Sequence, residues 1–144
     1  MVQRLVERLR REPRRVFLID GVGATLSALS LGVVFTALWE YVGMPRPVLL
    51  PLALVALAYA AYSIRCYYQR RNQWRRCLRI ISSANLAYIG VTAGLVVAFW
   101  ARLTVLGVTY FLLEIVLIGA LVVVERRVLV VGDIAVAERP TDQS

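Results

Sequence analysis

Four long apolar stretches make up most of the chain, and short polar segments separate them. We expect a membrane-spanning helix in each, at about residues 16–38, 47–64, 80–100 and 104–124, because crossing the hydrocarbon core takes ~20 residues. The connections after the first and third stretches are very short, which favours antiparallel neighbours. The pattern predicts an all-α fold: a single membrane-embedded, up-down four-helix bundle over residues 1–144.

The segments that flank the four stretches are amphipathic or polar. Residues 1–13 carry apolar side chains at i, i+3, i+4 and i+7 counted from Val2. This spacing predicts a short basic helix that lies in the headgroup region. Residues 125–144 form a cytoplasmic tail that either extends the fourth span or lies on the surface as a short helix. We expect its last few residues to be disordered.

The positive charge alternates around the apolar stretches. All 17 positively charged residues are arginines: six precede the first stretch, one, six and one lie in the three connections, and three follow the fourth. Because cytoplasmic loops carry the excess of arginine, both termini are predicted to be cytoplasmic. The arginines lie at the ends of apolar stretches, so we expect anionic lipid headgroups as partners and no nucleic acid. The headgroup candidates are Arg14, Arg15, Arg70, Arg71, Arg75 and Arg76.

The polar composition excludes several kinds of chemistry. The chain has no histidine, which rules out histidine-ligated haem and a Ser-His-Asp triad. Cys66 and Cys77 are eleven residues apart, a spacing typical of neither a redox pair nor a zinc site, so we expect two free thiols. Asp20 and Glu114 would leave a metal site short of ligands. We therefore predict no metal, no cofactor and no catalytic set, and hence no enzyme.

Glu114 lies far from both ends of the fourth stretch. An ionised carboxylate there costs at least about 2.5–3.5 kcal/mol, so we expect it to be protonated, paired or facing a hydrated interior. Tyr110 lies one turn earlier on the same face. Two interpretations remain open: a carboxylate that binds a proton or cation, or a neutral acid hydrogen-bonded to Tyr110, Tyr59 or Thr92.

Asp20 lies about one turn inside the first stretch, and Asn85 lies at a similar depth in the third. We expect an ion pair from Asp20 to Arg65 or Arg79, with Asn85 completing the hydrogen bonds. Helix capping plus one interfacial salt bridge is the alternative. Both side chains are ligand- or proton-binding candidates, together with Glu114 and Tyr110.

Small residues mark where helices approach one another. Gly90 and Gly94 form a GxxxG motif, which lets helix backbones pack closely in a membrane. We expect this motif to pack inside the monomer. Homo-oligomerisation through such small-residue faces is the alternative.

Three motifs carry a resemblance to a known family: residues 17–24 (FLIDGVGA), residues 43–45 (GMP) and residues 106–114 (LGVTYFLLE). They resemble a family of small bacterial four-span integral membrane proteins whose activity is uncharacterised. The similarity covers roughly residues 16–125 and implies a location in the bacterial inner membrane. The positions that it singles out are Asp20, Gly21, Gly43, Pro45, Tyr110 and Glu114.

Two functions follow as hypotheses. The first is a small integral membrane protein with a structural or partner-binding role. The second is a small proton- or cation-coupled transporter that uses Glu114. A cavity lined by Asp20, Asn85 and Glu114 would favour the second hypothesis, and tight packing of Glu114 against one tyrosine would favour the first.

Overall fold

A computed structural model describes Glu12 and residues 14–68 and 73–137, with side chains through residue 130. The amphipathic helix predicted at residues 1–13 and the last residues of the tail, 138–144, lie outside the described residues. The same is true of Arg70 and Arg71.

The described chain is helical throughout, with short connections and no strand. The elements in chain order are α1 (Arg14–Leu29), which continues as a π-helical segment (Ser30–Phe35), the short α2 (Trp39–Val42), α3 (Arg46–Tyr68), α4 (Trp74–Ala98) and α5 (Val105–Ala137).

Four of these helical stretches are long and apolar enough to cross a membrane: Arg14–Phe35, Arg46–Tyr68, Trp74–Ala98 and Val105–Val130. No more than 33% of the most apolar window of each is buried inside the chain. Large apolar side chains such as those of Val97 and Val105 therefore face outward. A surface of this kind is stable against lipid and not against water, so the chain is a multi-pass membrane protein, as predicted.

The helices extend beyond the predicted apolar stretches. α3 continues past residue 64 to Tyr68, and α4 begins at Trp74, six residues before the predicted start. The turns that carry arginine at these ends remain helical because backbone hydrogen bonds do not require apolar side chains. α5 continues to Ala137, so the tail extends the fourth span as far as the structure describes it.

Helix packing is uneven around the bundle. α1 packs mainly on α3, and α4 mainly on α5, whereas α1 and α5 touch little. The π-helical continuation of α1 also packs closely on α3 because small residues face each other: a Cβ placed on Gly32 would lie 3.3 Å from that of Ala53. The loose α1–α5 contact leaves a cleft between these two helices.

The turn after α2 packs directly on the turn before α5. Gly43 ends α2 with φ 81°, in the left-handed region that favours glycine. The Thr104 amide donates to the Val42 carbonyl at 3.1 Å, and a Cβ on Gly107 would lie only 2.2 Å from that oxygen. Two glycines thus permit backbone-to-backbone contact at this end of the bundle.

The GxxxG motif of α4 faces outward. Nothing lies within 4 Å of a Cβ built on Gly90 or on Gly94, and both residues are exposed. The expectation that this motif packs inside the monomer is therefore wrong. The reason is that α4 turns its other face inward, and the residues of that face recur at helical spacing: Ile81, Asn85, Tyr88, Thr92 and Val96.

Candidate functional site

Glu114 is buried in the first third of α5, with 5% of its surface exposed. The Tyr88 hydroxyl of α4 donates to Glu114 Oε1 at 3.4 Å, and Ser27 and Tyr110 lie beside the same carboxyl group. Glu114 Oε2 has no hydrogen-bond partner among the described residues. An unpaired buried oxygen costs about 1–3 kcal/mol, so this carboxyl group has an unused capacity to bind a proton or a cation.

Sequence reasoning did not identify Tyr88 as a partner of Glu114. Tyr88 forms the hydrogen bond to Glu114, and it was not among the predicted partners Tyr110, Tyr59 and Thr92. Tyr110 does approach the carboxyl group. The Thr92 hydroxyl is buried with no hydrogen-bond partner in the described part of the chain.

The π-helical segment positions the neighbours of Tyr110. The Phe35 ring meets the Tyr110 ring edge-on, with centroids 4.3 Å apart, and Ser27 and Ser30 lie beside the Tyr110 hydroxyl. The Thr36 hydroxyl donates to the Leu31 carbonyl at 2.8 Å and satisfies an acceptor within the wide turn. Single π-helical turns are common at functional sites.

Asp20 forms a second polar group toward the other end of the bundle. Asn85 Nδ2 donates to Asp20 Oδ1 at 2.8 Å, and the Ser63 hydroxyl donates to Asp20 Oδ2. Asn85 therefore completes the hydrogen bonds as predicted. Ser63 is the other donor, a residue that the sequence did not indicate for this role.

Glu125 belongs to the same polar group, and sequence reasoning missed it. Asn85 Nδ2 also lies 3.5 Å from Glu125 Oε1, and Glu125 is fully buried, at 0% exposure. It precedes two arginines, so it was assigned to the tail. Its position eleven residues after Glu114 could have revealed it, because eleven residues are roughly three helical turns and place both acids on one face.

A cavity of about 520 Å³ lies in the cleft between α1 and α5. It reaches Asp20, Asn85 and Glu114, which the sequence hypothesis of a ligand site required together. Its remaining walls are mainly apolar, and its aromatic walls include Tyr59 and Tyr88. Glu114 is thus not enclosed by tight packing.

The cavity opens toward the outer surface of the bundle. Leu26 of α1 and Leu113 and Leu117 of α5 line it and are more than half exposed. Because these exposed side chains are apolar and suit contact with lipid, the opening of the cavity faces sideways toward the bilayer.

The walls of the cavity determine what it can bind. Its volume is within the ~300–1,000 Å³ of small-molecule sites, and apolar walls with a few polar groups are typical of such sites. Tyrosine faces and a carboxylate both attract a positive charge. In the part of the chain that the structure describes, no group of three or more acidic or cysteine side chains could hold a metal ion.

The described headgroup candidates lie at two helix starts. Arg14 and Arg15 begin α1, where Arg15 pairs with Glu12, and Arg75 and Arg76 are in the first turn of α4. Three of these four side chains are exposed; Arg75 is half-buried, with its guanidinium 5.4 Å from the centre of the neighbouring Trp74 ring.

The two cysteines meet in a hydrophobic cluster at the end of the bundle that holds these arginines. Cys66 of α3 and Cys77 of α4 are both buried thiols without a disulfide, as predicted, and their side chains lie against each other. Val16 and Phe17 of α1 complete the cluster from the other side. The thiols therefore join α3 to α4 by packing.

No family model matches this chain, and neither a curated protein nor a solved structure was found to be similar to it. The function is therefore inferred from the geometry of the site itself.

Proposed function

We propose that the protein is a small proton-coupled membrane transporter that binds a hydrophobic organic cation in the cleft between α1 and α5. Glu114 is the coupling group: its carboxylate holds either a proton or the positive charge of the substrate. Because one carboxylate does not hold both, proton binding on one side of the membrane releases the substrate, and proton loss on the other side allows it to bind again.

The observation that carries this proposal is the cavity of about 520 Å³ that joins Glu114 to an apolar, lipid-facing entrance. Apolar walls favour a hydrophobic ligand, and a buried carboxyl oxygen without a partner favours a positive charge. Tyr88 and Tyr110 both lie beside the carboxyl group and add aromatic surface for an organic cation.

Transport is tested with purified protein in liposomes. Tetraphenylphosphonium is the probe cation, and a pH gradient is the driving force. We expect wild type to accumulate the probe and to move protons in the opposite direction, and Glu114→Gln to do neither while remaining folded. Glu40→Gln is the matched control, because Glu40 is exposed in the short α2 and its replacement should leave transport unchanged. Absence of probe-coupled proton movement in wild type would refute the proposal, as would wild-type behaviour of Glu114→Gln.

We further propose an up-down arrangement in the bacterial inner membrane with both termini in the cytoplasm. The alternation of arginine along the chain supports this orientation, and so do the exposed arginines at the starts of α1 and α4, which suit anionic headgroups. The three resemblance motifs support the bacterial membrane. A periplasmic reporter fused after Ser144 should be inactive, and activity there would refute the orientation.

A structural or partner-binding role is the second candidate function, and the outward face of α4 favours it. Gly90 and Gly94 are exposed with open space above them, which suits close packing against a second copy of the chain in the membrane. We expect a dimer in detergent by analytical ultracentrifugation, with Gly94→Leu shifting it to monomer and Gly23→Leu, at an open position of α1, leaving it unchanged. A wild-type monomer at all concentrations would refute this role for the α4 face.

A further inference from the structure

A buried cluster of oxygen-bearing side chains lies roughly three helical turns from Glu114. Its members are Asp20, Ser63, Ser82, Asn85 and Glu125, and they come from all four long helices. We infer that this cluster binds one small monovalent metal cation of the size of sodium. The inference concerns a second site, and it does not depend on whether the cleft carries an organic cation.

Asp20 is the fully paired acid of the cluster. Its two oxygens accept hydrogen bonds from Asn85 and from the Ser63 hydroxyl. Two such donors stabilise an ionised carboxylate. Each oxygen still has a lone pair to offer a cation, because a carboxylate has about four acceptor sites.

Two other oxygens of the cluster are left unpaired. Glu125 Oε2 and Ser82 Oγ are buried and have no hydrogen-bond partner among the described residues. The side chains of Glu125 and Ser82 are only 0% and 3% exposed. Ser82 lies beside the Glu125 carboxyl group. Two buried oxygens without partners are the feature that a bound ion explains.

A cation can bridge oxygens that are too far apart for a hydrogen bond. Cation–oxygen distances of roughly 2.3–2.6 Å allow two ligands of one ion to stand up to about 5 Å apart. A positive ion also offsets the cost of holding Asp20 close to Glu125 in a medium of low dielectric constant.

The ligand set favours a monovalent ion. Carboxylate and hydroxyl oxygens are hard ligands, which suit hard cations. Calcium takes 6–8 oxygens and magnesium demands near-ideal octahedral geometry, and the described chain offers two carboxyl groups here and no third acidic side chain to add to them. Sodium carries half the charge of these ions and fits a site with fewer anionic ligands.

Space for an ion lies beside the cluster. A small cavity of about 10 Å³ between α3 and α4 is lined by Asp20, Ser63 and Asn85. This volume is close to that of one water-sized sphere. The larger cleft also reaches Asp20 and Asn85.

The test measures the melting temperature of the full chain in detergent, in sodium chloride and in caesium chloride at equal ionic strength, because caesium has the same charge and is too large for a sodium-sized site. Sodium should raise Tm in a saturable way, by roughly 5 °C, because a ligand that binds only the folded state stabilises it. Ser82→Ala and Glu125→Gln should lose this sodium dependence. Ser83→Ala is the matched control, since Ser83 is exposed on the same helix and should keep it.

The outcomes separate this site from the transport proposal. Glu114→Gln should lose probe transport and retain the sodium-dependent rise in Tm. A Tm that does not respond to sodium would overturn the inference, including the case in which it responds to pH alone. A sodium response that survives in Ser82→Ala would overturn it too. Ser82→Ala removes only a hydroxyl group, so it serves even if Glu125→Gln does not fold.

Discussion

Replacing Gly107 by alanine should destabilise the bundle where the two turns meet. An alanine Cβ there would lie 2.2 Å from the Val42 carbonyl oxygen and 2.8 Å from Leu103 Cδ2. The first distance is more than 1 Å short of the 3.4 Å at which ordinary van der Waals contact begins. The obstructing atom is in the backbone, so no change of side-chain rotamer relieves the clash.

The size of this loss of stability follows from the two contacts that must change when α5 moves away from Val42. Separating α5 from the Val42 carbonyl stretches the 3.1 Å hydrogen bond from the Thr104 amide, which is worth about 1 kcal/mol. Forcing an added methyl group into a packed contact costs about 1–3 kcal/mol. We therefore expect Gly107→Ala to lower the free energy of unfolding by about 2–4 kcal/mol.

The assay is reversible unfolding in mixed micelles of increasing SDS content, followed by circular dichroism. Gly119→Ala is the matched control on the same helix, because its Cβ would meet only Ile89 Cδ1, at 4.0 Å. Alanine favours a helix over glycine, so this variant should be as stable as wild type or more so. If Gly107→Ala unfolds within about 0.5 kcal/mol of Gly119→Ala, the close approach of the two turns is refuted.

Three further predictions use the same preparations. Gly43→Ala should lower the free energy of unfolding by at least about 2 kcal/mol, because the left-handed backbone disfavours a side chain and a Cβ would lie 2.0 Å from the Arg102 carbonyl oxygen. Equal stability of Gly43→Ala and Gly90→Ala in the SDS titration would contradict this. Asn85→Leu should lower the free energy of unfolding by about 3 kcal/mol, because it removes the amide donor that two buried carboxyl groups share. A loss below about 1 kcal/mol would show that these two hydrogen bonds contribute little to stability. Mild oxidation should join Cys66 to Cys77 within one chain, because the buried thiols lie against each other. Alkylation under denaturing conditions and mass spectrometry should then find neither thiol modified, and two alkylated thiols would place α3 and α4 differently.

The four long helices could be predicted from sequence because the signal is strong. A span must keep about 20 residues apolar to exclude polar groups from the hydrocarbon core, and few other structures impose that demand. The ends were harder to predict, because backbone hydrogen bonds continue through polar residues. Residues 74–79 carry three arginines and are helical nonetheless.

The acids of the candidate site were predictable in part. Glu114 stands out as an acid surrounded by apolar residues, and Asp20 stands out in the same way. Glu125 does not, because Arg126 and Arg127 follow it and resemble the end of a span. Only the spacing between Glu114 and Glu125 indicates that they share a face.

The partners of these acids were not predictable, because they depend on which helix faces meet. An apolar helix in lipid has no water-facing side to mark its orientation, so its sequence does not show that Tyr88 or Ser63 points inward. Gly90 and Gly94 illustrate the same limit: their spacing is that of a packing motif, but it does not identify the partner. Tertiary structure was needed to show that this motif faces outward.

The central claim is that Glu114 exchanges a proton for an organic cation in the cleft. Isothermal titration calorimetry of tetraphenylphosphonium binding, repeated in buffers of different ionisation enthalpy, measures how many protons leave the protein for each cation bound. At a pH where Glu114 is protonated in the ligand-free protein, the account predicts release of close to one proton from wild type and from Glu40→Gln. It predicts neither release nor tight binding in Glu114→Gln. Tight binding without proton release across the pH range, or unchanged release in Glu114→Gln, would contradict the account.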